Sequence, residues 1–117
     1  RLEEVKLAAN MLKDKKISCT IVDARFCKPL DKKLILALCK EHQALFTIEE
    51  GSIGGFGSHV LDFLIKNKTN IYKKILIDTI HFPDYFIDQD KPFNMYNLAG
   101  MNSKQIYNRV LKKLLNN

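Results

Sequence analysis

The residues with the clearest chemical potential lie between Glu49 and His59, where two adjacent carboxylates precede a run of glycines. A β-rich run comes before this turn and an apolar helical pattern follows it. The turn is therefore predicted at the carboxyl end of a sheet, where open α/β folds bind their ligands. In one interpretation, Gly55 and Gly57 let a pyrophosphate approach a helix N-terminus. Asp78, at the end of the next predicted strand, would then bind a ribose.

Two features of the same turn oppose a dinucleotide site. Val60 stands where the fingerprint has its third glycine. Glu49 and Glu50 would each repel a phosphate by about 1 kcal/mol near a surface. A tight turn whose glycines permit close packing of helix on sheet is the preferred interpretation. The two glutamates are also a poor acid–base pair, because adjacent strand residues point to opposite faces. We therefore expect them to have an interface role.

A second segment at the carboxyl edge of the predicted sheet carries cationic groups. Arg25 and Lys28 follow a predicted strand, and they could bind an anion or pair across a subunit boundary. A local ion pair with Asp23 or Asp31 is an equally good interpretation. Cys27 has no histidine beside it in the sequence, so we interpret it as a small packed residue and not as a nucleophile.

The histidines and cysteines do not form a metal-binding pattern. His42, His59 and His81 lack metal-ligand spacing, and the three cysteines include no CxxC pair. His59 falls in the first turn of a predicted helix. Asp84 either caps a turn or belongs to an apolar stretch that packs against another domain or subunit. No catalytic, cofactor-binding or metal-binding residue is predicted, and the candidate interface residues are Arg25, Glu49, Glu50, His59 and Asp84.

Helices and strands alternate along the chain and would position these residues. Helices are predicted over residues 2–13, 32–41 with Asp31 as N-cap, 58 to about 66, and after an N-cap at Asn102. Strands are predicted over residues 17–22, 44–48 and 75–77, with an irregular stretch over residues 80–93. This order is typical of a three-layer α/β/α sandwich with a mainly parallel sheet. The uncapped first helix and the thin sheet predict a piece of a longer protein that lacks its first strand.

Composition sets the broad class. The 117 residues fit one domain, residues 1–117, and 46% hydrophobic residues can form a core without disulfides. The apolar runs are too short to cross a bilayer. The net charge is +6, but the lysines are scattered and no aromatic residues interleave with them, so nucleic-acid binding is not predicted. A preference for residues with AT-rich codons is a sufficient explanation for the lysines.

Four segments together resemble the carboxy-terminal domain of 1-deoxy-D-xylulose-5-phosphate synthase. They are residues 22–31 (VDARFCKPLD), 47–58 (TIEEGSIGGFGS), 82–87 (FPDYFI) and 98–101 (LAGM). The related domains of transketolase and of the pyruvate dehydrogenase β subunit are the nearest alternatives, and they have a similar Glu-Glu-Gly turn. His81 departs from the synthase pattern, in which a small neutral residue is usual before Phe-Pro-Asp.

The resemblance implies a transferase that uses thiamine diphosphate and magnesium. Such an enzyme joins pyruvate to glyceraldehyde 3-phosphate with loss of carbon dioxide, and the cofactor is the electron sink. The product feeds isoprenoid, thiamine and pyridoxal pathways. The family places the cofactor, magnesium and substrate-phosphate residues in the preceding domains. This domain is therefore expected to bind no cofactor, to be inactive alone, to support the middle domain and to contribute to a homodimer.

An alternative of another class is a free-standing α/β module that binds a nucleotide or an anion. The cellular compartment of the protein is inferred only from the implied pathway and the AT-biased composition. Together they predict a plastid-type organelle such as an apicoplast, or a bacterial cytoplasm. The sequence predicts neither a membrane nor a nucleic acid as a partner.

Overall fold

The computed structural model describes residues 2–23, 30–50, 55–82 and 92–116, with the backbone alone for Glu50, Phe82 and residues 92–101. The chain divides into two compact units. The first comprises Arg1–Val22 and Pro83–Asn117, and the second comprises Asp23–Phe82. The first unit is helical in its described part, whereas the second carries the parallel sheet.

The first unit is a pair of packed helices, α1 (Leu2–Lys13) and α4 (Pro92–Leu115). The predicted bounds of α1 are confirmed. Its apolar face buries Ala8 and Leu12, and α4 buries Ile106 and Val110, which are spaced one helical turn apart. An isolated helix as short as α1 is marginal in water. Burial of its apolar face against α4 therefore stabilises it.

The end of α1 is closed by a Schellman motif. The Ile17 N–H donates to the Leu12 carbonyl at 3.1 Å, and the Lys16 N–H donates to the Lys13 carbonyl at 2.9 Å. These bonds satisfy carbonyls that the last turn of a helix leaves without partners. The motif needs a left-handed residue, and Lys16 takes that conformation with φ 65°. Glycine usually fills this position, because a Cβ is disfavoured there.

The start of α4 differs from the prediction. Asn102 was predicted to cap the last helix, but α4 already begins at Pro92 and Asn102 is buried within it. Proline is well suited to the first helical position, where its missing N–H costs nothing. Asn102 and Ser103 are both buried, so packing continues the helix through residues whose local preference favours a boundary.

The second unit contains α2 (Lys32–Glu41), β1 (Ala44–Glu50), α3 (Phe56–Lys66), a short 3-10 turn (Ile71–Lys73) and β2 (Leu76–Phe82). The two strands pair in parallel, with Ala44 opposite Leu76 and Glu50 opposite Phe82. The parallel pairing and the helix α3 between the two strands confirm the predicted α/β class. Helices with a two-stranded parallel sheet are compatible with a partial sandwich that lacks a strand.

The core of the second unit lies between its helices and one face of the sheet. Its buried members are Ile35 and Cys39 of α2, Val60 and Leu64 of α3, and Ile71. The predicted Asp31 cap of α2 is confirmed, with Oδ1 accepting from the Leu34 N–H at 3.0 Å. The prediction that α3 is largely buried is only partly right, because its Leu61 and Ile65 are 36% and 50% exposed.

Three other sequence-based bounds were wrong. Residues 17–23 form neither helix nor strand, because β-propensity becomes a strand only where pairing and burial support it. Helix α3 begins at Phe56, two residues before the predicted start at Ser58. Strand β2 continues to Phe82, through residues that were predicted to be irregular. Parallel pairing with the whole of β1 extends it.

Substitution of Lys16 by glycine should stabilise the chain. Glycine adopts the left-handed conformation without a Cβ penalty, and we expect the free energy of unfolding to rise by about 0.5–1 kcal/mol. Urea unfolding followed by circular dichroism would measure the change. Lys15→Gly is the matched control, because Lys15 has a negative φ and glycine there only adds entropy to the unfolded chain. Equal effects of the two substitutions would contradict the assigned cap.

Candidate functional site

A polar patch lies at the carboxyl end of the parallel sheet. Thr47 and Glu49 are two residues apart on β1, and Thr79 and His81 are two residues apart on β2. Side chains two residues apart on a strand point to the same face. The register sets Thr47 beside Thr79 and Glu49 beside His81. All four side chains therefore share one face of the sheet. We call this group the sheet-end patch.

The carboxylate of Glu49 binds the first turn of α3. Its Oε1 accepts from the Phe56 N–H at 3.1 Å, and its Oε2 accepts from the Gly57 N–H at 2.6 Å. The first N–H groups of a helix have no partner within the helix. Here two of them are satisfied by a side chain from the preceding strand. The carboxylate also lies next to the positive end of the helix dipole, which is a favourable position for a negative charge.

Two glycines make room for this carboxylate. A Cβ on Gly55 would collide with Glu49 Oε1. A Cβ on Gly57 would lie 2.7 Å from Thr47 Oγ1, 2.8 Å from Glu49 Oε2 and 3.1 Å from Thr79 Cγ2. These are closer than a carbon atom can approach without displacing its neighbours. The glycines at these two positions thus permit close packing of α3 on the sheet. The space beside them is filled by the Glu49 side chain.

His81 lies beside the carboxylate. Its Nδ1 is 3.9 Å from Glu49 Oε2, and the His81 and Glu49 side chains are 25% and 14% exposed. Within the described part of the chain, two buried side-chain polar atoms have no hydrogen-bond partner, namely His81 Nδ1 and Thr47 Oγ1. Both belong to the sheet-end patch, so this patch has hydrogen-bonding capacity that its helix cap does not use.

The geometry bears directly on the dinucleotide interpretation. Two N–H groups that would help to hold a pyrophosphate, those of Phe56 and Gly57, are bonded to Glu49, which supplies the anion internally. Asp78 was expected at the end of its strand, but β2 continues to Phe82 and Asp78 lies near the middle. Its Oδ1 accepts from the Thr79 N–H at 3.0 Å. Among the described residues, the first turn of α3 is therefore arranged as a helix cap, with its Phe56 and Gly57 N–H groups bonded to Glu49.

Of the five predicted interface residues, the structure describes the side chains of Glu49 and His59. His59 is exposed on α3, and its N–H continues the helix by donating to the Gly55 carbonyl. Glu49 is bonded within its own unit. The side chain of Glu50 is not described, and Arg25 and Asp84, with Cys27 and Lys28, lie outside the described residues. An interface role for the five candidates stays a prediction.

The described residues hold no group of three or more His, Cys, Asp or Glu that could bind a metal ion. Cys39 is packed in the core, and burial raises the pKa of its thiol, so the reactive thiolate is disfavoured. Among the same residues, no helix combines the length and apolarity that a bilayer crossing needs.

Sequence reasoning did not find the pairing of Glu49 with His81. The signal was present, because both residues stand near the ends of β-rich runs that a parallel sheet brings together. The misplaced end of β2 hid it. With β2 ending before residue 80, His81 belonged to a loop and had no strand neighbour. Thr47 was missed because its polar group matters only once α3 covers it.

The fold and the patch define an α/β domain with a self-capped helix at its sheet end. The family described as "Transketolase, C-terminal domain" matches residues 1–106. The chain therefore belongs to the transketolase C-terminal domain family. No solved structure matches the chain.

Enzymes of the transketolase family generally use thiamine diphosphate and magnesium. The described residues do not fit that cofactor at the sheet-end patch. The Phe56 and Gly57 N–H groups that a diphosphate would need are bonded to Glu49, and a second anion would be repelled by that carboxylate. No chemical step through the cofactor is assigned to these residues.

Loss of the Glu49 carboxylate should weaken the start of α3. We expect Glu49→Ala to lower the free energy of unfolding by about 1–2 kcal/mol, as for other lost caps. Glu49→Gln should cost less, because its one amide oxygen still accepts one N–H. Urea denaturation would measure both. Glu41→Ala is the control, since Glu41 is exposed at the end of α2; a loss as large as that of Glu49→Ala would contradict the cap.

Substitution of Gly57 by alanine should have the reverse of its usual sign. In an ordinary helix this change stabilises by roughly 0.5–1 kcal/mol. Here the new Cβ meets Thr47, Glu49 and Thr79, and overpacking of this kind costs about 1–3 kcal/mol. Thermal and urea unfolding of Gly57→Ala would test this, with Ser58→Ala in the same turn as the comparison. Stabilisation by both would show that the space beside Gly57 is not filled.

Proposed function

We propose that this chain is the carboxy-terminal domain of a 1-deoxy-D-xylulose-5-phosphate synthase. The whole enzyme would be a transferase dependent on thiamine diphosphate and magnesium, acting on pyruvate and glyceraldehyde 3-phosphate. Membership of the transketolase C-terminal domain family over residues 1–106 supports the general class. The RFCKPLD and PDYFI segments favour the synthase over transketolase and the pyruvate dehydrogenase β subunit.

In this proposal the domain is structural, and the catalytic residues lie outside this segment. The observation that carries this part is the bond of Glu49 to the Phe56 and Gly57 N–H groups. The helix start that follows the phosphate-loop-like turn is therefore capped by the chain's own carboxylate. The same observation disfavours the free-standing nucleotide- or anion-binding module, because its most plausible binding position is filled.

The remaining parts of the proposal concern partners and place. The domain would pack against the preceding domains of the same enzyme and contribute to a homodimer. The enzyme would work in a plastid-type organelle or in a bacterial cytoplasm, without nucleic acid or membrane as a partner. These statements rest on the resemblance of the sequence to the synthase family.

Binding measurements on this chain test whether the domain holds a cofactor or a nucleotide. Calorimetric titration of the 117-residue chain with thiamine diphosphate and magnesium should give no heat of binding, and titration with NAD should also give none. Tight binding of the cofactor would contradict the structural role. Micromolar binding of NAD that Gly57→Val abolishes would favour the nucleotide-binding module.

The full-length protein that carries this chain would test the reaction itself. We expect it to release carbon dioxide from pyruvate and to form 1-deoxy-D-xylulose 5-phosphate when glyceraldehyde 3-phosphate is present. Decarboxylation of pyruvate without a new carbon–carbon bond to the aldehyde would favour the pyruvate dehydrogenase alternative. Absence of pyruvate turnover, with transfer from a ketose phosphate instead, would favour transketolase.

A further inference from the structure

The helix-capping carboxylate of Glu49 has unused capacity to accept hydrogen bonds. Each carboxylate oxygen can accept from two donors, and each oxygen of Glu49 accepts from one N–H, of Phe56 or of Gly57. Among the described residues, no further hydrogen bond to either oxygen uses its second lone-pair direction. Because the side chain is 14% exposed, water has limited access to those positions.

His81 is a donor in position to use this capacity. Glu49 and His81 are opposite each other in the parallel register and point to the same face. The Nδ1 of His81 is 3.9 Å from Glu49 Oε2. Movement by about 1 Å brings this separation into the range of an N–H···O bond. Rotation of the imidazole about its side-chain bonds supplies such a movement without any change in the strands.

The environment of His81 Nδ1 favours the tautomer that carries the ring proton on this nitrogen. This atom is buried and has no hydrogen-bond partner among the described residues. A bare nitrogen beside a carboxylate oxygen would place two acceptors against each other, and a buried polar atom without a partner costs about 1–3 kcal/mol. A proton on Nδ1 removes both penalties, because the N–H then points at an acceptor.

We propose that His81 is a positioning residue for Glu49, with its Nδ1–H donating to Glu49 Oε2. The carboxylate then accepts from three N–H groups, two from the first turn of α3 and one from the end of β2. His81 acts through Glu49 and holds the carboxylate over the helix. The ends of both strands and the start of α3 are thereby joined at one group.

The tautomer of His81 is the direct readout. In the neutral ring one nitrogen carries the proton, and the two forms give different nitrogen-15 shifts. Spectra of the full chain above about pH 8, where an ordinary imidazole is neutral, should show the proton of His81 on Nδ1. The chain contains its own references. His42 Nδ1 is 2.8 Å from the Leu38 carbonyl and must donate, whereas His59 is exposed.

A matched pair of variants tests the role independently of the tautomer. The side-chain amide of asparagine can place an N–H near the position of histidine Nδ1, whereas leucine has no donor. We expect His81→Leu to raise the equilibrium constant for unfolding about fivefold, the usual effect of one hydrogen bond, and His81→Asn to change it by less than about twofold. The Gly57 amide proton shift should move in His81→Leu and stay in place in His81→Asn.

A double-mutant cycle separates this bond from general packing. In the Glu49→Ala background, His81→Leu should change the unfolding constant by less than about twofold, because the acceptor is gone. The proposal is overturned by a bare Nδ1 with the proton on Nε2 in the spectra. It is also overturned if His81→Leu has the same effect with and without the Glu49 carboxylate.

Discussion

The bond between the Glu49 carboxylate and the first two N–H groups of α3 is the interaction on which the second unit depends. It joins the end of β1 to the start of the next helix across the glycine turn. A helix that begins beside a sheet must satisfy its free N–H groups and place its positive end near a negative charge. One side chain meets both needs, and its size sets the residues that can stand at positions 55 and 57.

The face of the sheet that α3 covers changes character along its length. Leu45 and Ile77, opposite each other, pack against the apolar core. Thr47 and Thr79 follow, and Glu49 and His81 come last. The strands thus lead from an apolar interior to a polar end within a few residues. Because paired residues of a parallel sheet share a face, the two strands make this change together, which places the polar groups where the helix begins.

Local signals in the sequence predicted the elements whose ends depend on neighbouring residues. Asp31 capped α2 as expected, because its carboxylate needs only the N–H of Leu34. The bounds of α1 were predicted correctly from its periodic apolar face, and its end is closed by hydrogen bonds among nearby residues. Residues 17–23, the far half of β2 and the buried Asn102 were mispredicted, because each depends on packing or pairing with distant residues. At the patch, the carboxylates and glycines could be read directly, whereas the approach of His81 required the register.

The capping carboxylate has a further consequence for how this surface meets dissolved anions. Glu49 is tethered to the helix it binds, so it competes as an intramolecular ligand at an effective concentration on the order of millimolar or higher. A free phosphate or carboxylate has to displace Glu49 and is then repelled by the displaced carboxylate nearby. The start of α3 therefore carries its own counter-ion, and dissolved anions compete with it at a disadvantage.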